Sequence, residues 1–463
     1  MAADLPPKIF GGPTKRFFVS MLTRDIALDD AILDLIDNSV DGATRQLKGK
    51  IDKGTPYDGY WTRLRLSQNS FDISDNCGGI PHDLIRDAFL LGRPKANRDK
   101  HIPTIGVYGI GMKRAIFKIG EEAAIESASE DGAFAVTYDR KWMDPQNDSW
   151  DLPIETLPRR KSKGVTIIIE SIRPDIAKQF GNEAFVNSLK NKIALHFGYL
   201  MQKGFAVTVN GNQVKKRTLQ LHFLEVSKDR DGIRPYDYEG VEDGVRVRVT
   251  VGFYRPLAKI QEIDEEAERA SATDQAGISV VCNDRMVLEK DKTIRTGWGD
   301  GGVPRYHPQF RGIAGLISFS TDTPERLPIN TTKRDLEVGS PIYLRARQYC
   351  MEGLKILTDF TNKWKGMESE TSAFFEEAKM RDARTEIRLA ATYGKPLRDN
   401  PKAMKYVVRL PMPPKSNPLR RITFLRKEED VKKVSLHLFN ESDVTPSVVG
   451  EECFDRMLKA SKK

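Results

Sequence analysis

The chain has 463 residues, room for roughly three domains at ~150 residues each. Apolar residues are 39% and charged residues 30%, which excludes global disorder, and no run approaches the ~18 uninterrupted apolar residues of a membrane helix. The net charge of +9 is uneven: residues 379–463 hold 20 Lys and Arg against 11 Asp and Glu, while the residues before them hold 54 of each sign. Such a basic segment suits nucleic acid, an acidic partner, or an ordinary solvated surface. Cys77, Cys282, Cys350 and Cys453 form no CxxC pair, which argues against a cysteine zinc site or a disulfide framework. The first residues show no basic region followed by an apolar core, so the expected setting is the reducing cytoplasm.

In chain order, residues 25–50 predict a helix, with Leu28, Ala31, Ile32, Leu35, Ile36 and Ser39 at helical spacing. Residues 61–75 predict a strand pair that runs into Asp-Asn-Cys-Gly-Gly. A glycine-punctuated run, Ile105–Gly111, feeds a helix over Met112–Ile119. Strands are expected at 134–139, 164–171 and 205–211, the last ending in the hairpin signal Asn-Gly. Further alternating strands are expected at 245–254, 277–287 and 313–320, then long helices over 342–393. Leu410–Pro418 predicts a linker, and residues 422–439 predict a strand followed by a helix or a second strand. Thr445 or Ser447 is placed to cap a last helix. No internal repeat is visible.

Four separated elements carry chemistry. On a helix, Asp34, Asn38 and Asp41 share one stripe, and two carboxylates around a carboxamide suit a hard cation and an activated water, or simply an acidic solvated face. At Asp75-Asn-Cys-Gly78-Gly79-Ile80 a strand ends in a carboxylate able to accept from an exocyclic amine, with glycines that free the backbone; a plain Asp-Asn turn reads the same. Gly106, Gly109 and Gly111, followed by Met112 and Lys113, open a helix and suit phosphate. No GK[ST] follows and no strand precedes, so neither a P-loop nor a Rossmann fingerprint applies. Finally, Gly164-Val-Thr166 places a hydroxyl at the start of an apolar strand.

In this order the four elements resemble the Bergerat-fold (GHKL) ATPases, the superfamily of gyrase B, the ninety-kilodalton heat-shock chaperone, the histidine kinases, MutL and MORC proteins. The likeness covers roughly residues 20–215 and extends more loosely to about 345. It implies an α/β (α+β) Bergerat sandwich of helices on a mixed sheet over 1–215. A transducer-like α/β domain of the ribosomal S5 type follows over 216–345, then a helical and basic α+β region over 346–463. It implies ATP and Mg2+ as ligands. Asn38 would hold the metal, with Asp41 on the same stripe. Asp75, Gly79, Ile80 and Thr166 would form the adenine pocket. Gly106, Gly109, Gly111, Met112 and Lys113 would surround the phosphates, and residues 92–110 would form a lid.

The general base of the resemblance is a glutamate four residues before the asparagine, and here that position is Asp34. Its carboxylate is set back by ~1.5 Å, and a ~1 Å misplacement costs ~100-fold in rate, so slow turnover is expected. The usual first glycine after Asp75 is Cys77. From the second domain, Lys333, with Arg334 as the alternative, would reach the γ-phosphate, and Val281-Cys-Asn283-Asp-Arg285 is similar to that domain's VNGR-type strand. The implied activity is an ATP-driven switch that dimerises on ATP and acts on DNA or a partner effector protein, with genome maintenance or antiphage defence as family-level settings. A non-hydrolysing ATP-gated scaffold and a heat-shock-type chaperone are the alternatives. A histidine kinase is disfavoured, because the residues before the first helix hold no histidine.

Overall fold

Apolar residues at helical spacing build the helix on which the first module is organised. Helix α2 (Leu28–Gln46), preceded by α1 (Lys15–Arg24), buries Ala31, Ile32, Leu35, Ile36 and Val40 against a sheet. The computed structural model describes residues 14–461 apart from 25, 49, 51–53, 93–101, 105–108, 145, 148, 226–230, 259–274, 331–335, 415–421 and 423. It divides into two units, Met1–Met412 and Pro413–Lys463.

The first sheet holds β1 (Trp61–Leu66), β2 (Phe71–Asp75), β3 (Gly120–Ala128), β4 (Ala133–Tyr138), β5 (Ile154–Leu157), β6 (Gly164–Ile172), β7 (Ala206–Val209) and β8 (Asn212–Gln213). Their spatial order is β5-β4-β3-β6-β2-β1-β7-β8, antiparallel except for the parallel pair β1 and β7. Short α3 (Ile85–Phe89), α4 (Gly111–Ile119), α5 (Arg140–Met143), α6 (Pro174–Phe180), α7 (Glu183–His196) and α8 (Gly198–Gln202) complete the module. The helices cover one face, where Phe71, Ile73, Ile125, Ile167 and Ile169 point into the core. The other face is half-buried, as the mixed antiparallel pattern allows. The Asn-Gly signal makes the β7–β8 hairpin, with Asn210 and Gly211 both at positive φ.

One contact fixes where β2 and β6 meet. A Cβ on Gly164 would lie 1.9 Å from the Asp75 carbonyl oxygen, so only glycine lets the strands approach there.

The second sheet follows β9 (Gln220–Phe223) and comprises β10 (Tyr236–Glu242), β11 (Val245–Phe253), β12 (Gly277–Cys282), β13 (Arg285–Asp291) and β14 (Ile313–Ser320). Beyond α9 (Pro341–Lys363), α10 (Ser372–Glu376), β15 (Lys379–Asp382) and α11 (Leu389–Tyr393), it also recruits β16 (Lys395–Pro396) and β17 (Met404–Tyr406). The stretch 277–287, which alternation alone reads as one strand, is two. Asn283 and Asp284 take positive φ and turn β12 back into β13. The sequence places residues 346–463 in a separate C-terminal region. Here Leu354, Leu357, Phe360, Trp364, Phe375 and Ala403 lie in the same core as β10, β11 and β14. That covering also buries the polar face of β11. Arg248 and Thr250, which alternation points at solvent, instead donate to Asp237, which also accepts from the Ala390 amide.

A third apolar cluster joins the two modules: Tyr199 and Leu219 meet Val281, Met286, Leu316, Ile387 and Leu389. Beside it the His196 ring donates from Nδ1 to the Met286 carbonyl at 2.9 Å. In the second unit, α12 (Glu428–Phe439) ends at Asn440 in the left-handed region and packs on α13 (Pro446–Ser461). The described residues of 422–427 form no strand.

Two measurements check this architecture. Burial first, and then the Arg285 charge, pull the His196 pKa down to about 4. The native ring stays neutral where the unfolded chain takes up a proton, so this stability is whole above about pH 6.5 and is lost as pH falls toward 4. In urea titrations the wild type should lose up to about 3 kcal/mol more than His196→Gln over that window. Gly164→Ala should cost about 2–4 kcal/mol, while Gly339→Ala, where a Cβ meets open space, should stay within about 0.5 kcal/mol.

Candidate functional site

Helix α2 reaches the sheet closely because Gly42 has no side chain. A Cβ there would lie 2.8 Å from the Cys77 carbonyl oxygen and 3.1 Å from the Cys77 Cβ. The cysteine that stands in the usual glycine position is therefore accommodated by a glycine opposite it. With the helix seated, its polar residues go to separate partners. Asp34, Asn38 and Asp41 share a stripe as expected, but only Asn38 is exposed. Asp41 is buried, and its charge adds to burial and to Asp284 in pushing the Tyr57 phenol up.

At the end of β2, Asp75 follows Phe71 and Ile73 onto the helix-facing side. Its Oδ2 accepts from the Ser39 hydroxyl at 2.9 Å, and its Oδ1 accepts from the amides of Cys77 at 2.9 Å and Val165 at 3.2 Å. Burial raises this carboxyl, and the three donors oppose the shift. A carboxylate has about four acceptor positions, so these bonds leave one for a further donor. Gly79 has φ +70°, and a Cβ there would lie 2.0 Å from the Ala128 carbonyl oxygen. Ile80 is tied in by its amide, which donates to Ser127 Oγ at 2.8 Å.

Thr166 stands elsewhere. It pairs with Ser74 and Glu126, so it shares the sheet face of Ser74 and not that of Asp75. Its neighbour Val165 packs on the helix-side core and brings its amide to Asp75. The period of two in a strand puts adjacent residues on opposite faces, and the threonine is one position too late to line the pocket.

Helix α4 begins against Asp34. A Cβ on Gly111 would lie 3.2 Å from the Asp34 Cβ and 3.3 Å from its Oδ2. The start of α4 carries no side-chain cap, which leaves its first amides without a side-chain acceptor there. Gly109 takes φ +68° just before it, and Met112 packs partly on the core. Gly106 lies outside the described residues, as do Lys333, Arg334 and most of the expected lid. Lys113 turns inward. It is buried, its ammonium donates to the carbonyls of Ala88, at 2.8 Å, and Gly109, and burial pulls its pKa down to about 8. It thus ties α3 to the glycine turn.

Sequence reasoning missed three participants. Arg114, nearly buried, forms an ion pair with Asp34. Ser39 holds Asp75, and its place one residue after Asn38 was the available signal. Arg285 of β13 reaches across from the second module to Asp37, its Nε 2.6 Å from Oδ1. Among the described residues no group of three or more His, Cys, Asp and Glu can hold a metal. No helix among the described residues is long and apolar enough to cross a membrane.

An exposed carboxamide, a carboxylate with one acceptor position left, and uncapped amides at a helix start together suit a nucleotide with a hard cation. Residues 26–170 match the family model described as "Histidine kinase-, DNA gyrase B-, and HSP90-like ATPase". No curated protein matches the chain. The mixed sheet with helices on one face is consistent with a Bergerat-type sandwich, and the match supports an ATP-binding domain of the GHKL type over residues 26–170.

Proposed function

We propose that the chain is an ATP-driven conformational switch that hydrolyses its nucleotide slowly and dimerises when the nucleotide is bound. The observation that carries this reading is the Asp75 carboxylate. Three protein donors fix its orientation and leave one acceptor position for the adenine amine. Gly79 and Ile80 form the adjoining wall. Asn38 offers the one exposed polar group of its stripe to Mg2+, and Gly106, Gly109 and the first amides of α4 receive the phosphates. Magnesium supplies neutralisation of phosphate charge.

Asp34 is the group that would orient or accept the proton of a water. The Arg114 guanidinium pairs with Asp34 Oδ2 and so competes with a water for that oxygen. Slow turnover follows, and the same ion pair supports the second reading, a nucleotide-gated scaffold without turnover. Lys333 lies outside the described residues, and the residues that flank its segment, Ile329 and Leu336, form an antiparallel bridge. Its role toward the γ-phosphate is part of the proposal.

For the client we favour a protein over DNA. Residues 379–412 hold nine Lys and Arg against three Asp and Glu. Yet Arg381, Arg384, Arg388 and Lys405 pair with Glu225, Asp284, Glu239 and Glu352 from other parts of the unit. The basic excess is thereby largely neutralised. The second unit exposes Phe424, Leu425, Leu436, Phe454 and Met457.

Calorimetry should detect ATP binding by the wild type. Asn38→Ala should lose the Mg2+-dependent part, and Asp75→Asn should bind about 10–100-fold more weakly, because its amide donor opposes the adenine amine. Asp34→Asn should keep binding and lose turnover, while Asp34→Glu should raise turnover. Unchanged rates in both would remove Asp34 as the base. Titration of duplex DNA against salt should give a nearly flat log K, and a slope steeper than about −3 would restore DNA as the client.

A further inference from the structure

The tip of the β12–β13 hairpin touches the chain on both sides of the nucleotide site. Arg285 pairs with Asp37, both almost fully buried, and its guanidinium also lies 5.6 Å from the centre of the Phe197 ring. Asp37 is the residue before Asn38, about 100° round the helix from it. On the same tip the Asn283 carboxamide donates to the Thr104 carbonyl at 3.4 Å and to that of Thr321 at 3.1 Å, and its Oδ1 accepts from the Thr321 amide at 3.0 Å. Thr104 is buried, five residues before Gly109. Between these two, Asp284 is held by Lys203, the residue that follows α8, at 2.5 Å and by Arg384. Three successive side chains thus grip α2, the end of α8 and the segment leading to the glycine turn.

Net stability does not explain this arrangement. A buried ion pair commonly contributes little compared with an apolar pair of the same volume, and its best-attested use is to fix register. Leu35, Ile36 and Val40 already press α2 onto the sheet. What an apolar contact leaves loose is rotation about the helix axis, and that rotation aims Asn38. A charged hydrogen bond with one geometry sets it. The tip is itself rigidly specified, because Asn283 and Asp284 both sit in the left-handed region, where only a tight hairpin turn holds such residues.

We propose that Arg285 is a positioning residue for the nucleotide site, acting through Asp37 to aim Asn38, and that the 283–285 tip carries the state of that site to the second module. Resting on the reading of this site as an ATP site, it adds the route by which occupancy leaves it. The route starts at α2 and the 102–104 segment, passes through the tip, and enters β12, β13 and the adjacent β14.

The experiment is hydrogen exchange on the full chain with and without Mg2+ and a non-hydrolysable ATP analogue, with affinity measured in parallel. In the wild type the analogue should slow exchange in 277–291 and 313–320 about tenfold or more. Arg285→Met should bind the analogue more weakly, chiefly in the Mg2+-dependent part, and at saturating analogue should lose that protection. Arg285→Lys, which keeps the charge, should restore part of it. Should Arg285→Met not fold, the double variant D37N/R285M, which buries no unmatched charge, takes its place. A variant that binds and keeps the full protection overturns the proposal, as does a wild type that binds without any protection in these strands. A wild type that binds no nucleotide overturns the ATP reading itself, a result distinct from either.

Discussion

The rotational setting of α2 governs the site. Within six residues the helix sends Asp34 to Arg114 on α4, Asp37 to Arg285 in the second module, Asn38 to solvent and Ser39 to Asp75 at the end of β2. At 100° per residue, a turn of the helix by one position would break all four relations together. The close seat of Gly42 on Cys77 sets how deep the helix lies, and the polar contacts set its angle. Depth comes from non-directional burial, and angle comes from directional bonds.

Much of this was legible from the chain because local patterns report it. The helical spacing of Leu28 to Ile36 gave α2, the strand-ending Asp75 with its glycines gave the turn after β2, and Asn210-Gly211 gave a hairpin. The unreadable parts depend on residues far apart in sequence. Nothing near Asp34 signals Arg114, 80 positions away, and nothing near Asp37 signals Arg285, 248 positions away. The single strand expected over 277–287 failed because Asn-Asp makes the turn that Asn-Gly usually makes. Thr166 failed on parity, since a shift of one residue along a strand moves a side chain through the sheet. The alternating VRVRVTV of β11 was read correctly as a strand, but its polar face is covered by residues from beyond 380.

In the proposed function, the Asp34 ion pair weighs on the balance between binding and turnover. A shorter carboxylate held by a guanidinium suits a site in which binding the nucleotide matters more than splitting it quickly. This agrees with a second module attached through a buried contact at the site's own helix. On the proposed reading, the energy of nucleotide binding reaches β12–β14 before any bond is cleaved, and hydrolysis resets the state.

The packing of the cysteines has a practical consequence. Cys77, Cys282 and Cys350 are buried, and burial pushes each thiol up, away from the reactive thiolate. Cys453 on α13 is only partly covered. A maleimide dye added to the native chain will therefore mark α13 alone, and two such dyes on neighbouring copies give an optical ruler for assembly with no engineered residue.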